Sequence, residues 1–489
     1  MLSIDFDRIF QQLTYQPQAP IIFNSGVFLF LFLAFLAVYM LVYKHERVRI
    51  YYVVAFSVYF YYKSSGWYFL LLLLLTVSDF CLAKLMSKHD KKEERVVLLI
   101  ISLLLNLGLL AYFKYTNFIF SSFYELLNKP FDPFNIFLPI GISFFTFQSL
   151  SYTIDVYRKN IEPLKRLSDY AFYLTFFPQM VAGPIVRAAD FIPQIHRTPF
   201  VSQADFGRAV FLICIGLFKK AVISDYISLN FVDRIFENPT LYTGFENLAG
   251  VYGYALQIYC DFSGYSDMAI GIALLLGYQL NINFNSPYKS SSITEFWRRW
   301  HISLSSWLRD YLYISLGGNR KGRIRTYTNL MITMLLGGLW HGAALRFIVW
   351  GGLHGAMLAI EKFFKSVVKI PSSRFTKIAG ILLTFHFVCF CWIFFRADSM
   401  EAVGQVLKQI FTAFHPEVFV DFVRGYPWVF VLMLLGFTMH FMPHSSAQFI
   451  ENKITASPLI LKVVYLSVII FIVIQVKSSE IQPFIYFQF

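Results

Sequence analysis

The chain has 489 residues, of which 15% are charged and 57% hydrophobic, with 56 Phe, 30 Tyr and 8 Trp. Typical globular proteins carry roughly 25% charge, so a soluble multidomain enzyme is excluded, and so are disordered and low-complexity classes. The excess of 42 Lys+Arg over 29 Asp+Glu gives +13, which fits basic cytoplasmic loops of a membrane protein and not nucleic-acid binding. The five cysteines show no C-x-x-C or Cys/His ligand spacing, so neither a disulfide framework nor a metal site is expected.

The first apolar run, Ile21 to Tyr43, follows Asp5, Asp7 and Arg8 with no basic cluster ahead of it and exceeds a signal-peptide core. It reads as a retained transmembrane helix. Comparable runs recur near 50–62, 67–84, 96–113, 136–155, 168–186, 207–223, 246–260, 264–280, 327–350, 351–364, 378–396, 427–443 and 459–477. At about twenty residues per crossing, and with some runs too short or polar, they predict about ten to twelve crossings plus re-entrant pieces. The fold class is all-α, one polytopic membrane domain over residues 1–489. Basic clusters at Lys44–Arg49, Lys84–Arg95, Arg158–Arg166, Arg320–Arg325 and Lys362–Lys377 fall on the cytoplasmic side by the positive-inside rule, leaving the N-terminus outside. No internal repeat divides the chain into similar halves, which disfavours a polysaccharide or lipid transporter.

Polar chemistry concentrates between Gln257 and Gly355. Polar groups at membrane depth are costly enough to be functional candidates. Asp261, in Gln257–Asp267 (QIYCDFSGYSD), is either a structural partner for an arginine or a catalytic residue. Residues Ile293–Leu316 (ITEFWRRWHISLSSWLRDYLYISL) place Trp297, Trp300, Leu304, Trp307, Leu308 and Tyr311 on one helical stripe, with Glu295, Arg299, Ser306 and Asp310 opposite and Arg298, Ser305 and Arg309 on a border. The periodicity predicts one amphipathic helix at an interface. His301 falls within the apolar stripe, as a core residue or a catalytic one.

After Arg320, Lys321, Arg323 and Arg325, whose role is topology or phosphate binding, the chain runs into Gly337–Ala344 (GGLWHGAA) and Gly351–Ala356 (GGLHGA). Gly338 with Gly342, and Gly351 with Gly355, have the four-residue spacing that lets membrane helices approach closely. Packing alone does not call for an imidazole in each cluster, and the small residues around His341 leave room for a substrate. A buried neutral imidazole is able to take a proton from a hydroxyl, so His341 is either a catalytic base or a packing residue, and the same pair of readings applies to His354. His386 and His440 read as core or helix-contact residues. No G-x-S-x-G elbow and no G-x-x-x-x-G-K-[ST] loop is present.

Leu138–Arg158 (LPIGISFFTFQSLSYTIDVYR), Phe176–Arg187 (FFPQMVAGPIVR), Gln257–Asp267, Asn283–Arg320 with its FWRRWHISLSSWLRDYLYISLGGNR core, and Gly338–Gly342 (GLWHG) follow one another in order. This set resembles the membrane-bound O-acyltransferase superfamily, in its bacterial alginate O-acetyltransferase branch, with a core at about 138–396. The resemblance implies a ring of transmembrane helices around a thinned centre, and acyl transfer to a hydroxyl with His341 as the catalytic residue and His301 as the second characteristic polar position. It implies Trp340 and His301 as candidate oxyanion donors, and Trp340, Asp261, Arg298, Arg309 and His354 as substrate contacts. Acetyl-CoA is the implied donor, a substrate and not a bound cofactor, with Arg298, Arg299, Arg309, Arg320, Lys321, Arg323 and Arg325 as cations for its phosphates. The acceptor is an exported or cell-wall polysaccharide, reached directly or through an exported SGNH-type acetyltransferase partner, and the expected location is the bacterial inner membrane among its lipids. D-Alanyl transfer toward teichoic acids is the alternative within the superfamily.

Overall fold

The computed structural model describes residues 6–17, 20–368, 371, 373–476 and 484–485. Asp5, Lys369 and the last residue of the 459–477 run lie outside the described residues. The described residues form helices joined by turns and loops, with no strand among them, in agreement with the expected class. Among them, five helical stretches are long and apolar enough to cross a membrane: Glu46–Met86, Lys92–Leu126, Leu345–Val367, Arg374–Arg396 and Leu459–Val476. A sixth arises if Pro416–Gly425 and Pro427–Phe441, bent by 102°, form one span. Several of the other apolar runs fold as helices shorter than these. The first run is a 17-residue helix, Gly26–Val42, about 26 Å long at 1.5 Å per residue, against a hydrocarbon core of roughly 30 Å. The run at 207–223 ends in a π-helical turn at Phe218–Ser224.

The chain forms two compact units. The first comprises Met1–Ala209 and Ala269–Asn281 and contains α1 (Gly26–Val42), α2 (Glu46–Ser65), α3 (Phe69–Met86), α4 (Lys92–Leu110), α5 (Ile142–Tyr157) and α6 (Leu167–Thr175). Its apolar centre is a cluster of rings around Phe177, which meets Phe28, Phe32, Phe35, Phe56 and Phe60 at centroid distances of 5.1 to 6.4 Å. Gly141 (φ +77°) packs its Cα against the backbone of Met180 and Val181, where a Cβ would lie 2.9 Å from the Met180 carbonyl oxygen. Two of the sequence motifs therefore touch through a position that only glycine fits. The buried Asp79 on α3 accepts from Ser102 (2.6 Å) and Asn106 (2.7 Å) on α4 and from Ser149 on α5, joining three helices with one carboxylate. Arg49, read in the sequence as part of a basic loop cluster, is buried and donates to the carbonyls of Tyr43, Ile195 and Arg197 at 2.6 to 3.0 Å. It satisfies carbonyls at or just beyond the C-termini of two helices, which have no partner within the helix.

The second unit comprises Val210–Met268 and Ile282–Phe489. It holds most of α7 (Gly244–Leu275), then α8 (Ile293–Arg299), α9 (Ile302–Trp307), α10 (Arg323–His341), α11 (Leu345–Val367), α12 (Arg374–Arg396), α13 (Pro427–Phe441), α14 (His444–Thr455) and α15 (Leu459–Val476). α10 and α11 form a hairpin turned at 342–344. Its closeness depends on the predicted glycines: a Cβ at Gly338 would clash with the Phe347 carbonyl, and one at Gly351 with the Met334 carbonyl. The small-residue faces thus bring two backbones into contact, as expected.

Candidate active site

Residues Ile293–Leu316 are not one helix. Ser292 caps α8 by accepting from the Glu295 amide at 3.2 Å, and α8 ends at Arg299. His301 then adopts a left-handed conformation, φ +43° and ψ +56°, before α9 begins at Ile302. A π-helical turn follows at Leu308–Tyr313. The apolar stripe is nevertheless buried from Trp300 through Leu304, Trp307, Leu308 and Tyr311, and His301 is 0% exposed. Side-chain polarity alone carries no information about the break; a histidine in left-handed backbone costs of order 1–3 kcal/mol and persists only where its surroundings impose it.

Asn283 imposes it. Its backbone carbonyl accepts from the Ile302 amide at 2.9 Å, and its side-chain Oδ1 accepts from the Ser303 amide (3.1 Å) and hydroxyl (2.9 Å). The same oxygen lies 3.2 Å from His301 Nδ1. An amide oxygen can only accept, so Nδ1 carries the ring proton and Nε2 of the neutral imidazole is the basic nitrogen. This tautomer does not fit the expected oxyanion-donor role of His301, because Nε2 has no proton to give. Asn283 was not singled out in the sequence beyond opening a motif.

His341 is the last residue of α10 and 3% exposed. Its ring packs edge-on against Trp340 (4.9 Å between centroids), Trp350 (5.0 Å) and Phe395 (5.2 Å). Trp340 also lies 6.1 Å from His301, so the indole touches both histidines. The room that the sequence assigned to the glycines beside His341 is taken by α11: a Cβ at Gly342 would fall on the Phe347 ring. Those glycines serve helix packing, and the surroundings of His341 are aromatic.

His354, fully buried, stacks near Trp350 (4.8 Å) and accepts at Nδ1 from Trp297 Nε1 at 3.3 Å. Its proton is therefore on Nε2, which has no partner among the described residues, and neither has the indole Nε1 of Trp350. Two buried N–H donors without acceptors beside one histidine call for an explanation. Trp350 escaped the sequence reading, although it lies one turn before His354 and so on the same face of the helix.

A cleft of about 590 Å³ opens beside this aromatic cluster, lined by Trp297, Arg298, Arg309, Thr333, Met334 and Lys362 among others. Trp297 connects it inward, with its ring 5.7 Å from Trp350. Of the predicted phosphate cations, Arg298 and Arg309 line the cleft, and Arg309 is also paired with Asp310 at 2.7 Å. Arg320, Lys321, Arg323 and Arg325 are exposed at the entry to α10 and are not among the lining residues, whereas Lys362, noted in the sequence only for topology, is. Arg299 is held by Glu295 at 2.8 Å.

Asp261 is buried and paired with Lys220, which also bonds Asp225 at 2.8 Å; its other oxygen accepts from the Ile485 amide at 2.9 Å. The partner is a lysine and not the expected arginine, and the contacts are those of a structural ion pair. Phe262, one residue on, packs edge-on against the His301 ring at 4.6 Å, so this pair anchors the segment that packs on His301. His386 is exposed and packs edge-on against Tyr252 of α7 at 5.9 Å, as a helix-contact residue, while His440 is buried.

The family model of MBOAT, the membrane-bound O-acyltransferase family, matches residues 9–403. The chain is 42% identical over 400 residues to "Probable alginate O-acetylase" of Pseudomonas aeruginosa, covering 80% of this chain and 75% of that protein. It is 36% identical over 418 residues to the peptidoglycan O-acetyltransferase of Helicobacter pylori, covering 79% of each. To the teichoic acid D-alanyltransferase of Bacillus subtilis it is 32% identical over 288 residues, 55% of this chain and 71% of that protein. With a match over most of its length, and several helices able to cross a bilayer, the chain is a multi-pass membrane protein that belongs to the membrane-bound O-acyltransferase family.

Proposed function

We propose that the protein transfers acetyl groups from acetyl-CoA to hydroxyls of an exported or cell-wall polysaccharide, directly or through an exported SGNH-type partner, in the bacterial inner membrane. The observation that carries this reading is the similarity over four fifths of the chain to two O-acetyl-transferring relatives, one named for alginate and one for peptidoglycan. The arrangement around His341 supports the chemistry.

In this reading the neutral His341 ring takes the acceptor hydroxyl's proton as its oxygen attacks the thioester carbonyl. The carbonyl oxygen becomes an oxyanion, for which Trp340 Nε1–H, Trp350 Nε1–H and His354 Nε2–H are the candidate donors, the last two without a partner among the described residues. Collapse of the tetrahedral intermediate breaks the C–S bond, and the imidazolium returns its proton to the departing thiolate. Charge and atoms balance, leaving ester and free thiol. His301, with Nε2 as acceptor, orients the attacking hydroxyl, and Trp340 packs against both imidazoles. Arg298, Arg309 and Lys362 serve the donor's phosphates at the cleft, with Arg320, Lys321, Arg323 and Arg325 as an outer attracting field. Asp261 acts as a positioning residue through Lys220.

D-Alanyl transfer from a carrier-protein thioester is the second reading, favoured by the similarity to the Bacillus subtilis enzyme. Incubating the purified protein with radiolabelled acetyl-CoA or with charged D-alanyl carrier protein separates the two. The proposal expects acetyl label to leave its thioester in a His341-dependent manner. Release of D-alanine alone would replace it with the second reading, and no thioester turnover with either would return the transporter class.

A further inference from the structure

The second unit holds another cavity, of about 230 Å³, lined by Lys219, Tyr259, His440, Met442, Ala447 and Ile450 among other, mostly apolar, residues. His440 is 4% exposed, and its Nε2 accepts from the Tyr288 backbone amide at 3.1 Å. The neutral ring therefore carries its proton on Nδ1, which has no partner among the described residues. Lys219 adds a cation, paired with Asp267 at 2.7 Å. An ammonium has three N–H donors, so this pair leaves capacity for a ligand. The site thus offers hydrogen-bond donors at one place and hydrocarbon elsewhere. Its volume is about eight times the roughly 30 Å³ of a water molecule, room for a small polar head and the first part of a chain, and too little for a nucleotide. A shallower cleft at Met442, Ser445, Ser446, Phe449 and Ile450 shares Met442 and Ile450 with it, and Phe449 is exposed.

We propose that this cavity binds the acyl carboxyl group of a lipid, with the oxygen accepting from His440 Nδ1–H and Lys219 and the chain leaving past Ile450 and Phe449. The site requires nothing of the acetyl-transfer reading. The shared chemistry is a carbonyl oxygen on an apolar chain, and the source is a free fatty acid or a phospholipid ester.

Native mass spectrometry of the purified full-length chain in detergent, with palmitate, dipalmitoyl phosphatidylglycerol or hexadecane added separately, tests this. The expected result is one retained palmitate or one retained phospholipid, the retained species identifying the source, and no retained hexadecane. His440→Phe, which keeps an aromatic ring but removes the donor, lowers apparent affinity at least tenfold. Ala447→Trp fills the cavity from an exposed position, leaves the His440–Tyr288 bond untouched, and lowers it similarly. Retention of hexadecane equal to palmitate, or unchanged retention in both variants, overturns the proposal.

Discussion

Asn283 and His301 are joined by a 3.2 Å contact between Oδ1 and Nδ1, and the same oxygen holds the first turn of α9. One side chain therefore fixes both a left-handed backbone and the tautomer of a buried imidazole. Asn283→Ala removes both, leaving the Ser303 amide and hydroxyl without their acceptor, which costs about 1–3 kcal/mol for a buried donor. The expected outcome is a lower melting temperature and a kcat reduced about tenfold or more. Asn283→Asp keeps an acceptor at Oδ1 and is expected to recover most of the lost kcat. Thermal unfolding in detergent together with steady-state kinetics reads both effects.

Trp350 packs 5.0 Å from the His341 ring and 4.8 Å from that of His354, and the indole Nε1 and His354 Nε2 have no partner among the described residues. Trp350→Phe keeps a ring against His341 and removes only the donor. Loss of one preorganised oxyanion donor typically costs about 10²–10³-fold in kcat. The variant is expected to show a drop of that order at unchanged KM for both substrates, with melting temperature close to wild type. A rise in KM with kcat intact would assign the indole to ground-state binding.

At the cleft, Arg298→Gln, Arg309→Gln and Lys362→Gln are each expected to raise the KM for acetyl-CoA with kcat little changed, and the effect should shrink as salt is added. Replacing Arg320, Lys321, Arg323 and Arg325 together with Gln should slow donor association chiefly at low ionic strength, because these residues stand outside the cleft lining. Unchanged donor affinity in the cleft variants would remove this pocket from donor binding.

The α10–α11 hairpin carries a stability prediction. Gly338→Val would drive its side chain into the Phe347 carbonyl, and forcing apart two packed helices costs about 1–3 kcal/mol or more. A lowered unfolding temperature with parallel loss of activity is expected, whereas Gly404→Ala, at a position with open space around its Cα, should change neither.

The helical class, the burial of the 300–311 stripe and the closeness of α10 to α11 were legible because each follows from a local pattern: periodicity for the stripe, glycine spacing for the hairpin. The break at His301 was not, because it depends on Asn283, eighteen residues away, whose amide has no periodic signature. The use of Gly342 also escaped the pattern. A glycine signals vacant space but not what fills it, and here the filler is the Phe347 ring from the next helix. Likewise Asp261 announced a buried charge without naming its partner, since Lys220 lies on a separate segment. The interruption of the 207–223 run was not legible either, because hydropathy does not register the π-helical turn at Phe218–Ser224.

In the proposed reaction His341 takes the acceptor proton. Single-turnover transfer of radiolabelled acetyl from acetyl-CoA by purified His341→Gln, at saturating donor and with melting temperature matched to wild type, decides whether it does. General-base catalysis is worth typically about 10²–10⁴-fold, and a rate lowered by at least that lower bound is predicted. A folded variant that transfers acetyl at the wild-type rate would contradict it.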